Sequence, residues 1–146
     1  MLQGLRTDHS TQPLPLNRAV WRLVGRDAAL LYLLTFWGGV VLGLAGFSPT
    51  PTNVTLFIVV SAILLVIGFT ISGFATRYER RRYLPMVAAS LWLLCSANVP
   101  LGFDSFSAWL SSLIAYLLYS ALGGGMASIL ARCTRPAIPA SHHRPA

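Results

Sequence analysis

The sequence predicts an all-α integral membrane protein, a bundle of four transmembrane helices arranged as two antiparallel hairpins. Of its 146 residues 55% are hydrophobic and only 10% are charged, whereas about a quarter of a soluble chain is charged. Four long apolar runs follow one another, and a knot of arginines separates the second from the third: Arg77, Arg80, Arg81 and Arg82. An arginine at the centre of a span costs roughly 2.5 to 3.5 kcal/mol, so this knot marks a loop held at one membrane face.

The chain begins with two segments that precede the first span. Residues 1–13 are polar and aperiodic, which predicts a disordered N-terminal tail. Residues 14–26 form a basic amphipathic interfacial segment, because Arg18, Arg22 and Arg26 recur every fourth residue with apolar residues between them. Such a stripe either binds anionic lipid headgroups or leads into the first span and anchors it. We favour the second interpretation, since positive charge beside a first span is common.

The predicted membrane domain covers residues 27–132, with spans at about 27–47, 53–74, 84–103 and 106–131. A helix of about 20 residues crosses a hydrocarbon core of about 30 Å. The third run is the most polar and contains Pro100, so a re-entrant segment remains an alternative there. Residues 133–146 are predicted to be a disordered C-terminal tail.

The arginines also predict the orientation of the chain. With four spans all eleven basic residues fall on one side, and the opposite loops carry only Asp104. Both termini are therefore expected in the cytoplasm. A re-entrant third segment would place the C-terminal arginines outside, so the charge pattern favours four spans. All eleven basic residues are Arg, as expected for a GC-rich bacterial genome, which would place the protein in the bacterial cytoplasmic (inner) membrane.

Small residues recur at helix-packing spacing on three of the runs. They are Gly39 and Gly43 on the first, Gly68 and Ser72 on the second, and Ser120, Gly124 and Ser128 on the fourth. Such positions let helix backbones approach closely in lipid. They serve either packing within one monomer, which we favour, or a face for a second copy or a partner subunit.

The apolar cores are predicted to contain no Asp, Glu, Lys, Arg or His, since the three histidines lie in the tails. Catalytic residues, a cofactor and a metal site are therefore not expected. The net charge of +7 lies in short segments beside the apolar runs, so membrane lipids are the expected partners and nucleic acid is not. Asn98 is interpreted as an interhelical hydrogen bond, and Cys95 and Cys133 as unlinked thiols because the topology keeps them far apart.

Two short motifs resemble known families. Val99-Pro100-Leu101-Gly102-Phe103 and the four-span layout are similar to the small membrane subunit of tripartite tricarboxylate transporters, which would imply a subunit of a solute transporter. The Gly-Pro-Gly-aromatic-Pro turn of that family is replaced by residues 48–53. Gly102-Phe103-Asp104 with Trp109 resembles the membrane anchor of quinoprotein dehydrogenases, but Asn98-Val99 stands where that anchor has Trp-Glu.

Two functional hypotheses follow. The preferred one is a small non-catalytic membrane protein, an accessory or anchoring subunit that binds another membrane protein. The other is a small transporter or channel built by homo-oligomerisation. The second is supported by a faint repeat, in which Gly46-Phe47-Ser48 and Gly102-Phe103-Asp104 occupy matching turns.

Overall fold

The computed structural model describes residues 18–47, 50, 52–76, 78–102 and 105–134. Over these ranges the protein is all-helical, which confirms the predicted all-α class. The four α-helices are α1 (Arg18–Leu44), α2 (Val54–Ala75), α3 (Arg80–Cys95) and α4 (Phe106–Cys133), and a 3-10 turn at Ser96–Asn98 follows α3. Helices α1, α2 and α4 are long and apolar enough to cross a membrane. The predicted tails lie outside the described residues, except for Cys133 and Thr134 at the end of α4.

Helix α3 is shorter than the predicted third span at 84–103. It begins at Arg80, and its 16 residues rise roughly 24 Å at 1.5 Å per residue. Pro100 has no N–H with which to continue the helix, and the Val99 N–H instead donates to the Ser96 carbonyl at 3.2 Å. The α-helix therefore ends at Cys95, and Phe103 lies outside the described residues.

The helices form two antiparallel hairpins that lie side by side. Helix α1 packs on α2 and α3 on α4, while α1 also contacts α3 and α2 contacts α4. Because α1 and α3 run in the same direction, the beginnings of both helices meet the ends of α2 and α4. The described arginines are all at this end of the bundle, which we call the basic end; they are Arg18, Arg22, Arg26, Arg80, Arg81, Arg82 and Arg132.

The core is densest toward the basic end. Residues 18–26 form the first turns of α1, and Val20 and Val24 on their apolar face are fully buried. Phe69 of α2 and Val87 and Leu91 of α3 complete the centre of this core. The apolar side of the basic segment therefore packs inside the protein.

The outer surface of the bundle is apolar. Large hydrophobic side chains are exposed on every α-helix, among them Trp37, Ile58, Leu93 and Ile129. Soluble monomers rarely expose continuous apolar patches of more than a few hundred Å². With three span-length helices, this surface is compatible with a location in a membrane.

A glycine with a positive φ angle follows each of the two parallel helices at the opposite end. Gly46 (φ +89°) follows α1 and Gly102 (φ +76°) follows the 3-10 turn. At Gly46 the chain closes a Schellman motif, because Phe47 N–H donates to the Leu42 carbonyl at 3.1 Å and Gly46 N–H to Gly43 at 3.0 Å. The two turns noted in the sequence thus share a left-handed glycine.

Candidate functional site

A buried carboxylate ties three helices together near the basic end. Asp27 of α1 is only 8% exposed. Its Oδ2 accepts hydrogen bonds from Ser72 Oγ of α2 at 2.6 Å and from the Tyr83 hydroxyl of α3 at 3.0 Å. Hydrogen bonds to a charged acceptor are stronger than neutral ones. Asp27 therefore fixes how α1, α2 and α3 are placed relative to one another.

The second carboxylate oxygen of Asp27 is bound by the preceding residue. Arg26 Nη2 donates to Oδ1 at 2.8 Å and Arg26 Nε at 3.0 Å. The Arg26 side chain is 61% exposed, so the arginine links the buried acid to the surface of the bundle. Both oxygens of Asp27 are thus engaged, and the geometry is that of a structural anchor.

A second tyrosine packs against the Tyr83 ring. Tyr78 stacks on Tyr83 with ring centroids 6.2 Å apart. A cleft of about 240 Å³ lies beside this pair and Asp27.

The expectation that the cores contain no charged group is wrong at Asp27. The sequence prediction placed this residue at the edge of the first span, next to Arg26. The sequence contains a pattern that indicates the burial of Asp27. Spacings of four, three and four residues place Val20, Val24, Asp27 and Leu31 on one helix face. All four are buried.

A second cluster of polar side chains lies farther from the basic end of the bundle. The Tyr32 hydroxyl of α1 donates to Asn98 Oδ1 at 3.0 Å, which is the interhelical hydrogen bond predicted for Asn98. The Cys95 sulfur lies 3.4 Å from the Tyr116 hydroxyl of α4. These side chains, with Thr35 and Ser61, line a cleft of about 460 Å³ between α1, α2, α4 and the end of α3 with its 3-10 turn.

The predicted packing residues of α2 and α4 lie at helix contacts. A Cβ on Gly68 would touch Leu31, and a Cβ on Gly124 would lie 2.8 Å from Leu84 Cδ1. Ser72 bonds Asp27, and buried Ser120 bonds the Leu117 carbonyl of its own helix at 2.8 Å. Ser128 Oγ bonds the Gly124 carbonyl at 2.8 Å. At Gly123 the backbone of α2 itself is close, since a Cβ there would lie 2.6 Å from Phe69 Cβ and 2.9 Å from the Thr70 backbone nitrogen.

Gly39 and Gly43, the predicted packing residues of α1, do not lie at a described helix contact. A Cβ built at either position meets no described heavy atom within 4 Å. Their immediate neighbour Gly38 instead faces α2, where its Cβ would touch Leu64. The packing of α1 on α2 therefore uses Gly38 and leaves the Gly39/Gly43 face open.

The prediction that the arginine knot is a loop is wrong for Arg80, Arg81 and Arg82, which form the first turn of α3. Their environments differ. Arg80 Nε donates to the Gly73 carbonyl at the end of α2 at 2.6 Å, and Nη1 lies 3.5 Å from Ser128 Oγ. Arg82 Nε pairs with Glu79 Oε2 at 3.2 Å. Arg18, Arg22 and Arg81 are exposed. Arg77 lies outside the described residues.

Within the described ranges, no group of three His, Cys, Asp or Glu side chains is close enough to hold a metal ion. Cys95 is buried and Cys133 is exposed, and neither is in a disulfide.

Comparison with known proteins adds no relative. No family model, curated protein or solved structure matches the chain. The fold and its clusters define a helical bundle with three span-length helices and an internal carboxylate anchor. The two resemblances noted in the sequence stay predictions.

Proposed function

We propose that this chain is a small non-catalytic integral membrane protein, an accessory or anchoring subunit of a larger membrane complex. The observation that carries the proposal is the open face of α1 at Gly39 and Gly43. These glycines are four residues apart and so lie on the same face of the helix. In lipid, paired small residues allow the close helix approach on which association depends. The monomer uses Gly38, Gly68 and Gly123 for internal packing and leaves this pair open for a partner.

The polar interior supports a structural role. Within the described ranges every buried side-chain nitrogen or oxygen has a hydrogen-bond partner. The buried acid is held by Ser72, Tyr83 and Arg26, which leaves no oxygen to act as a base on a substrate. We accordingly assign no catalytic residue, cofactor or metal, and no nucleic-acid partner.

The proposal includes four spans in the bacterial inner membrane, with both termini cytoplasmic. The clustering of the described arginines at the basic end supports this orientation. Helix α3 rises roughly 24 Å, and the 3-10 turn of three residues adds about 6 Å, which together approach the 30 Å hydrocarbon core. Arg18, Arg22 and Arg81 then project toward anionic headgroups.

A second candidate function is a small transporter or channel formed by several copies. The cleft of about 460 Å³ favours it, because Tyr32, Thr35, Ser61, Asn98 and Tyr116 bring hydroxyl and amide groups to its wall. Such groups replace the hydration of a small polar solute. One bundle of this size leaves little room for a continuous pore, so this function requires oligomerisation.

Native mass spectrometry of the tagged protein, purified in mild detergent from its native membrane, separates the two candidates. We expect a stoichiometric larger partner. That partner is lost in Gly39→Leu and Gly43→Leu but kept in Gly25→Leu, since Gly25 is also on α1 and also open. A homo-oligomer without a partner, together with saturable solute flux in liposomes, would replace the subunit proposal with the transporter.

A further inference from the structure

A groove between α3 and α4 opens at the basic end of the bundle. It encloses about 540 Å³. Its walls are Leu84 and Pro85 of α3 and Leu117 and Ala121 of α4. Arg80 and Arg81 lie at its end, beside Ser128. The groove therefore joins an apolar trough to a pair of positive charges.

The small residues of α4 create this groove. Gly124 lies close to Leu84, whereas a Cβ on Gly125 would meet no described heavy atom within 4 Å. Both glycines line the groove. Close packing at one glycine and open space at the next leave room for the trough beside α3.

Arg80 is held in position at the end of the groove. Its Nε caps the Gly73 carbonyl in the last turn of α2, and its Nη1 approaches Ser128 Oγ. These two bonds involve two of the five N–H donors of a guanidinium. A fixed guanidinium binds a phosphate with little loss of side-chain entropy.

The charge at the end of the groove is not balanced by its lining. None of the described residues that line it is acidic. The nearby Glu79 pairs with Arg82, which does not line the groove. The positive charges of Arg80 and Arg81 are thus left for a ligand.

We propose that this groove binds one anionic phospholipid. The phosphate lies between Arg80 and Arg81, with the Ser128 hydroxyl beside it, and an acyl chain follows Leu84, Leu117 and Ala121. Basic pockets between helices near a membrane face bind anionic headgroups in this way. The inference requires membrane insertion but no partner subunit, since the groove lies on α3 and α4 and the proposed docking face lies on α1.

The test uses the full-length chain in detergent, stripped of native lipid, with phosphatidylglycerol or phosphatidylcholine added. Native mass spectrometry counts the bound lipid, and the unfolding temperature reports its effect. We expect one phosphatidylglycerol to bind about tenfold or more tightly than phosphatidylcholine, because the arginines act on the net charge of the lipid. Equal binding of the two lipids would overturn the proposal.

Two variants, each with a matched control, locate the site. Arg81→Gln and Gly125→Leu should each weaken phosphatidylglycerol binding about tenfold, by removing a charge and by filling the trough. Arg82→Gln removes the same charge outside the groove, and Gly25→Leu adds the same side chain at an open glycine of α1, so both should bind as the wild type does. Equal losses in variants and controls would refute the site. Arg80 is left unchanged because it caps α2.

Inorganic phosphate distinguishes a lipid site from a free-anion site. We expect millimolar phosphate to leave the unfolding temperature unchanged, because it cannot occupy the apolar trough. A stabilisation by phosphate equal to that by phosphatidylglycerol would overturn the assignment to a lipid.

Discussion

Trp92 and Trp109 bind each other reciprocally across α3 and α4. The indole N–H of Trp92 donates to the Trp109 carbonyl at 2.9 Å, and that of Trp109 donates to the Trp92 carbonyl at 3.0 Å. The rings stack with centroids 4.2 Å apart and an interplanar angle of 12°. The pair closes the α3–α4 hairpin away from the basic end, and no spacing pattern in the sequence predicts that these two residues meet.

The tryptophan pair should show energetic coupling. Trp92→Phe and Trp109→Phe each remove one indole N–H donor, and each should lower the free energy of unfolding by about 1 kcal/mol. The double variant should lose less than the sum of the singles, with a coupling of about 0.5 to 1 kcal/mol. Denaturant titration in mixed micelles measures these values. Trp21→Phe, at a 53% exposed residue of α1, is the control and should change stability little. Strict additivity of the two singles would show that the pair does not act as a unit.

The Asp27 anchor should matter more than its position at the edge of a span suggests. Ser72→Ala leaves a buried carboxylate oxygen with one donor fewer and should cost about 1 to 3 kcal/mol of unfolding free energy. Ser111→Ala removes an exposed hydroxyl that bonds only within α4 and serves as the control. Thermal unfolding in detergent compares the two. A loss for Ser72→Ala no larger than that for Ser111→Ala would argue against the anchor.

Two nearby glycines of α4 should respond in opposite ways to alanine. In Gly123→Ala the new Cβ would lie 2.6 Å from Phe69 Cβ and 2.9 Å from the Thr70 nitrogen, so α2 and α4 must separate and stability should fall by about 1 to 3 kcal/mol. Gly125→Ala meets open space and should be neutral, or stabilising by up to about 1 kcal/mol through helix propensity. Unfolding temperatures of the two variants give the comparison. Equal unfolding temperatures for the two variants would mean that α2 and α4 lie farther apart at Gly123 than these distances indicate.

The proposed orientation can be tested with the native thiols. Cys133 is exposed at the end of α4, whereas Cys95 is buried. A membrane-impermeant maleimide should therefore label Cys133 in inverted vesicles but not in intact spheroplasts. Thr50→Cys in a Cys133→Ser background places a thiol between α1 and α2 and should show the reverse pattern. Labelling of Cys133 in intact spheroplasts would place the C-terminal end outside.

The predicted span boundaries lie close to the ends of α2 and α4 and differ from those of α1 and α3. The predicted spans at 53–74 and 106–131 differ from α2 and α4 by at most two residues at either end. Helix α1 begins at Arg18 rather than near Asp27, because Val20 and Val24 bury their side chains in the bundle and so extend the helix. Helix α3 stops at Cys95 because Pro100 withholds an N–H.

The sequence by itself determined the helical class, three span-length segments and the arginine-rich end of the bundle. These features follow from hydropathy and charge, which are properties of each segment alone. Only the tertiary structure decided that Asp27 is buried, that Gly38 rather than Gly39 packs on α2, and that Trp92 meets Trp109. Those contacts depend on how each helix is rotated about its axis and shifted along its neighbour. Rotation and shift are set by the fit of side chains on several helices at once, which no single apolar run encodes.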